Sequence, residues 1–251
     1  MAVYRCEAIV LRVQPFAEAD RLATLLSPEG RLRAIAKGAQ RGRSALSAAV
    51  QPFVRARLVL WRGRQLDGIS QAEIVEAHRR LAEDVGLLAA GSYCCDLADG
   101  FSIEGQESAA AFEALAAALD ALAAPPPAAA PAVVLRWFEL RLLEVSGFLP
   151  ELQACSACGQ VVAEPPPRTR LSASSGGLLC PECAAGDPAG VWLSRSALRG
   201  LRYLAAALPE ALPRVRVGPA TMAQMDAGLA RHIGGILQRP LRTRALLDTL
   251  T

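Results

Sequence analysis

Lysine is nearly missing from this chain: Lys37 stands alone beside 26 arginines. Alanine and proline are over-used with the arginine, which marks a compositional bias, so only the placement of arginine carries information. Histidine occurs twice, at His78 and His232, and neither stands in a motif with a Ser or Cys nucleophile. Walker A, GxGxxG and HExxH patterns are absent, which excludes the motif-bearing nucleotide-driven, dinucleotide-dependent and zinc-protease classes. Asp96 and Asp99 share a helix face, but solvated helix charges explain them better than paired catalytic carboxylates. No enzymatic activity is expected.

Long apolar runs are lacking too. Arg5, Glu7 and Arg12 interrupt the opening segment before a signal-peptide core can form. The best uncharged stretch, residues 121–135, carries four prolines and is too short to span a bilayer. A cytoplasmic chain with no membrane partner is expected. Aromatics make up only 5%, so its helices should pack through small side chains.

Charge is strongly segregated. Residues 1–80 hold 14 Arg and Lys against 7 Asp and Glu, residues 81–150 hold 2 against 10, and residues 151–251 hold 11 against 7. Residues 31–64 contain nine basic side chains and no acidic one: Arg31, Arg33, Lys37, Arg41, Arg43, Arg55, Arg57, Arg62 and Arg64. A polyanion-binding module joined to an acidic helical body fits this pattern; the alternative is a solvated basic face.

Arg31, Arg33 and Lys37 alternate with Leu32, Ala34 and Ala36, and Arg55 and Arg57 alternate with Val54, Ala56 and Leu58. Period two puts charge on one sheet face and apolar residues on the other. Turn signals at residues 27–30, 37–44 and 61–64 separate the runs. Five short strands in about eighty residues suit a small antiparallel barrel, of which the OB-fold is the common nucleic-acid-binding form. The Gly/Ser-punctuated loop at 37–47 could wrap a backbone. Phe53 and Trp61 offer either base-stacking surfaces or core.

From about Leu81 the apolar spacing turns helical: Leu81, Val85, Leu88, Ser92 and Cys95, then Phe112, Leu115, Leu119 and Leu122, then Val134, Phe138, Leu142 and Val145. A proline run at 125–127 separates the second of these from the third. Ser194 is the expected N-cap of a later helix with Leu198, Leu201 and Leu208. A last amphipathic run carries Met222, Met225, Leu229, Ile233 and Ile236.

Cys155-Ser-Ala-Cys158-Gly and Cys180-Pro-Glu-Cys183 form two CxxC knuckles 21 residues apart. Each turn points two thiolates at one centre, and two turns complete the tetrahedron Zn²⁺ prefers. Four thiolates leave no open position for water, so the site is structural. A redox pair would need a βαβ context that is not seen; four ordinary buried cysteines are the other alternative. Cys6, Cys94 and Cys95 read as core.

Several runs together resemble the bacterial recombination mediator family RecO. They are EAIVL at 7–11, EADRLATL at 18–25, GRLRAIAKGAQR at 30–41, QPF at 51–53 and QAEI at 71–74. Later come FELRLLEVSGFLPEL at 138–152, which leads into Cys155 as in the zinc-bearing branch, and HIGGILQRPLR at 232–242. The likeness spans nearly the whole chain. It implies an α+β protein: a five-stranded OB-fold barrel over 1–80, an α-helical domain over 81–251, and a four-cysteine zinc ribbon inserted at 152–190. It also implies a nucleoid-associated protein that binds single- and double-stranded DNA and anneals complementary strands. RecR is the implied partner in loading the recombinase RecA onto strands covered by single-strand-binding protein.

The acidic, hydrophobic tail of that single-strand-binding protein would need a cationic rim around an apolar pocket. Arg136 and Arg141, flanking Trp137, are the candidates; alternatively they balance Glu139 and Glu144. A zinc-ribbon adaptor that binds only proteins is the competing reading of the whole chain. A metal-dependent nuclease is disfavoured because no carboxylate cluster sits among the basic residues.

Overall fold

A computed structural model describes residues 2–41, 45–125, 129–241, 243–245 and 247. The chain forms two compact units, Met1–Pro127 with Leu241–Thr251, and Ala128–Pro240.

In the first unit, β1 (Val3–Phe16), β2 (Asp20–Ser27), β3 (Gly30–Ala36), β4 (Arg55–Trp61) and β5 (Asp67–Glu76) close into a barrel in the order β1-β2-β3-β5-β4. β1 serves two neighbours: residues 3–9 pair with β4 and residues 9–16 with β2. The register slips between Val10 and Arg12, a bulge that bends the strand around the barrel corner. Alternate residues point inward, among them Ala8, Val10, Ala23, Leu25, Ala34, Ala36, Leu58 and Leu60; the alanines suit so narrow an interior. An entirely antiparallel barrel was expected, but β3 and β5 run parallel over Ala34–Ala36 and Asp67–Ile69. Strand directions alternate around a ring, and an odd number cannot alternate throughout, so one seam must be parallel.

Helices α2 (Val85–Phe101) and α3 (Ala109–Ala123) pack on each other and against β1 and β2, while the short α1 (Ala45–Ala49) lies in the β3–β4 connection against β5. The buried face of α2 differs from the expected stripe. Val85 and Leu88 are exposed, and Leu87, Ala90, Gly91, Cys94, Leu97 and Ala98 face inward. Small residues allow close approach: a Cβ on Gly91 would lie 3.2 Å from both Leu81 and Phe53. Phe53 is therefore core and offers no stacking surface. His78 ties the barrel to α3, its Nδ1 2.7 Å from the Phe53 carbonyl and its Nε2 2.8 Å from Asp120. Thr243, after the chain returns from the second unit, donates to Asp96. These packings are why the first unit extends past residue 80 to Pro127.

The second unit holds α4 (Pro131–Val145), β6 (Arg168–Ser172), β7 (Gly177–Leu179), α5 (Pro181–Ala184), β8 (Val191–Ser194), α6 (Arg195–Ala206) and α7 (Pro219–Leu237). Pro131 starts α4 where its missing N–H costs nothing. Ser194 caps α6 as expected, its hydroxyl accepting from the Ala197 N–H. Helices α4, α6 and α7 pack together and bury Phe138, Leu142, Leu198, Leu201, Leu204, Met225, Leu229 and Ile233. Leu208 lies beyond the end of α6 and is exposed. The three strands form a sheet in the order β7-β6-β8. No helix among the described residues is long and apolar enough to cross a membrane.

Gly68 on β5 is the partner of Trp61 across the β4–β5 ladder, and the indole lies flat over its backbone. A Cβ there would sit 2.1 Å from the ring. Gly68→Ala is therefore expected to cost about 1–3 kcal/mol by overpacking and to displace the indole. Urea unfolding measures the cost, and unchanged stability would contradict this seating.

Candidate functional site

The four cysteines of the two knuckles come together in the second unit. Their Sγ atoms all lie within 4.8 Å of one another, with Cys158 and Cys180 at 3.9 Å. Tetrahedral Zn–S bonds of about 2.3 Å span S···S edges of about 3.8 Å, so the donor set fits a four-thiolate ion. The backbone builds each knuckle. Gly159 takes φ +75° to close the first turn, where its N–H donates to the Cys155 carbonyl at 2.8 Å and the Cys155 N–H to Gln160 at 2.9 Å. Cys180 starts α5, and its N–H lies 3.3 Å from Cys155 Sγ. Burial alone would raise the Cys155 thiol, but the N–H groups of Cys180, Cys158 and Ala157 bring it down to about 6. From α6, the Arg202 guanidinium clasps the first loop through the carbonyls of Leu152 at 2.7 Å and Val162 at 2.6 Å. Such donors preorganise the thiolate cluster.

The nine basic residues of the barrel do not form one free face. Arg31 on β3 is engaged by Asp99 of α2, 3.0 Å from its carboxylate and 3.2 Å from its carbonyl. Arg55 lies 2.5 Å from Glu7 and over the Phe112 ring. Arg57 approaches Glu7 at 3.5 Å and Glu73 at 3.7 Å. Arg31 and Arg55, both expected on phosphates, are thus engaged within the unit. Arg43 lies outside the described residues, as does Arg242. Among the described residues, Arg33, Lys37, Arg41, Arg62 and Arg64 have no ion-pair partner and are exposed.

Part of that free set converges on one end of the barrel. Lys37 Nζ stands 5.7 Å from the half-exposed Trp61 ring, and Arg62 lies over Tyr4 at 5.6 Å. Asp67 organises this end by accepting from the Tyr4 hydroxyl and, at 3.1 Å, from the Gly63 N–H in the turn between Arg62 and Arg64. Burial and then that carboxylate hold the Tyr4 phenol protonated well above its ordinary range. Sequence reading named Lys37, Trp61, Arg62 and Arg64 but missed Tyr4, whose alternation with Arg5 on the first strand was the available signal.

Comparison with known proteins places both parts of the chain in one family. Residues 1–78 match the family model for the Recombination protein O N terminal, and residues 82–245 match that for the Recombination protein O C terminal. The DNA repair protein RecO of Roseiflexus sp. (strain RS-1) is 38% identical over 98% of this chain and 85% of its own. That of Symbiobacterium thermophilum is 36% identical over 100% and 98%, and that of Desulforudis audaxviator 39% over 95% and 90%. The chain belongs to the RecO family. Its role is accordingly in DNA repair and recombination.

In this RecO-family chain Arg136, Trp137 and Arg141, the expected receptor for an acidic tail, are each engaged within the second unit. Trp137 is 2% exposed, and its indole N–H donates to the Ala207 carbonyl at 3.0 Å. Arg136 is 3% exposed, donating to Glu139 at 2.5 Å and to Asp226 of α7. Arg141 pairs with Glu144 one turn along. The alternative reading, arginines balancing their helix neighbours, is the one the structure bears out. Arg136→Ala would break the buried Arg136–Glu139 pair, at an expected cost of about 3–5 kcal/mol. Chemical denaturation measures it, and a loss under about 1 kcal/mol would show a solvated pair instead.

Proposed function

We propose that this RecO-family chain is a non-catalytic mediator that binds DNA through the cationic end of its barrel and anneals complementary strands. The observation that carries the reading is the convergence of Lys37, Trp61, Arg62 and Tyr4 on one barrel end, where neither cation has an ion-pair partner among the described residues. Lys37, Arg62, Arg64, Arg33 and Arg41 neutralise phosphates, and Arg57 joins them when it leaves Glu7. Trp61 gives an unpaired base a π-face. Neutralising phosphates on two strands lowers their mutual repulsion and raises their local concentration, while the base edges stay free to pair. Binding and base pairing supply the free energy, so no nucleotide is consumed. Its partners in that work are RecR, the single-strand-binding protein on the covered strand and, through them, RecA.

Cys155, Cys158, Cys180 and Cys183 hold one structural Zn²⁺ in this reading. When bound, the ion supplies a fixed cross-link between the two knuckles and takes no part in any reaction. Protein purified without added zinc should contain about one equivalent of it. Cys158→Ser should lose the metal and admit protease to residues 151–190 while the barrel stays intact. Absence of metal, or a Cys158–Cys180 disulfide in its place, would sink the assignment.

For the barrel, Lys37→Ala with Arg62→Ala should weaken DNA binding uniformly across sequences and reduce the slope of log affinity against log salt by about two. Arg55→Ala should act on stability and leave that slope nearly unchanged. Annealing followed by fluorescence quenching should proceed equally with and without ATP, and fall with the Lys37/Arg62 variant. An ATP requirement, or normal annealing by a variant that binds DNA poorly, would contradict the mechanism.

A further inference from the structure

The three-stranded sheet beside the cysteine cluster has two unlike faces. Alternation buries Thr169, Leu171 and Leu193 on one, and α7 packs against β8. The other face carries Arg168 and Arg170 from β6 and Trp192 from β8, with Arg170 directly opposite Trp192 in the ladder. Trp192 is 40% exposed, an unusual place for the largest apolar side chain. Both guanidinia approach its ring, Arg170 at 4.2 Å and Arg168 at 4.8 Å.

Arg170 is fixed in this position. It donates to the carbonyls of Ala184, at 3.0 Å, and Asp187, and its stem runs over Gly190, where a Cβ would fall 2.5 Å from Arg170 Cγ. Arg168 is exposed and, like the exposed Arg195 beside its ladder partner Ser194, has no ion-pair partner among the described residues. None of the three strands contains an Asp or Glu. An exposed indole with two cations at its ring and further positive charge beside it matches a ligand that alternates π-faces with negative charge. Single-stranded nucleic acid repeats that pairing at every nucleotide; a duplex hides its base faces, and an acidic peptide has no such regular alternation.

We propose that this sheet face is a second single-stranded DNA site, with Trp192 as the stacking platform and Arg168 and Arg195 on the phosphates. The inference rests on the DNA-binding reading above and extends it to the zinc-bearing unit. One chain then carries a strand on each unit, which is what annealing requires.

The test uses the full zinc-loaded chain with a fluorescein-labelled thymidine oligonucleotide and a labelled duplex of equal length. Trp192→Ala should weaken oligonucleotide binding about tenfold, as loss of one stacked base does, with less than about a twofold change for the duplex. Trp192→Phe should restore most of the affinity, and Arg168→Ala should lower the salt slope by about one. Zinc content and circular dichroism equal to wild type establish that each variant is folded. Unchanged oligonucleotide affinity in folded Trp192→Ala, while the Lys37/Arg62 variant binds weakly, would overturn this site alone. Wild-type protein that binds neither probe would overturn the DNA-binding reading with it. A glutamate-rich peptide that binds wild type but not Trp192→Ala, with oligonucleotide affinity unchanged, would reassign the face to a protein partner.

Discussion

Glu7 stands in the middle of β1, directly across from Arg57 on β4, and its two oxygens reach both Arg55 and Arg57. Asp99 does the same for Arg31 and, at 3.9 Å, Arg12. These two carboxylates divide the basic stretch into cations that hold the unit together and cations left for a ligand. Part of the free set, Lys37, Arg62 and Arg64, lies at the barrel end where β3 finishes and β4 turns into β5. Partly buried pairs of this kind are screened less by salt than exposed ones. The division therefore persists at salt concentrations that would weaken the proposed DNA binding.

The two units solve their stability problems differently. The barrel closes on itself and leaves no strand edge, and its interior is filled by alternating alanine and branched side chains. The ribbon in the second unit has three short strands and a core cluster of little more than Cys155, Leu179, Cys180 and Ala184. So small a core cannot hold loops of this length by burial alone. The clasp of Arg202 on the first loop supplies part of the missing constraint, and the proposed zinc on the four cysteines would supply the rest. That leaves the sheet's outer face free to carry Trp192 and its arginines without weakening the fold.

Much of this was legible in the sequence. Period-two alternation located the barrel strands, the paired CxxC spacing located the cysteine cluster, and Ser194 marked the start of α6. What escaped reading has particular causes. Glu7 and Asp99 lie far in sequence from residues 31–64, so a window with no acid in it looked uncontested. The stripe on α2 was drawn through Val85 and Leu88, whereas its packing face runs through Leu87, Ala90, Gly91, Cys94, Leu97 and Ala98. Arg136 looked exposed because charge usually is, but α4 is buried on nearly every side and provides its own carboxylate partner at Glu139. Trp192 was passed over although Arg168-Thr-Arg170-Leu171 and Val191-Trp192-Leu193 both alternate.

The central claim is that the barrel's cationic end, and not the full length of its basic strands, meets DNA. Photocrosslinking with a bromodeoxyuridine-substituted single strand, followed by mass spectrometry of the tryptic peptides, tests it most directly. Adducts are expected at Trp61 and Tyr4, whose rings lie beside Lys37 and Arg62. None is expected at Phe53, which is buried behind His78. Adducts confined to other tryptic peptides of the barrel, with Trp61 and Tyr4 unmodified, would contradict the account.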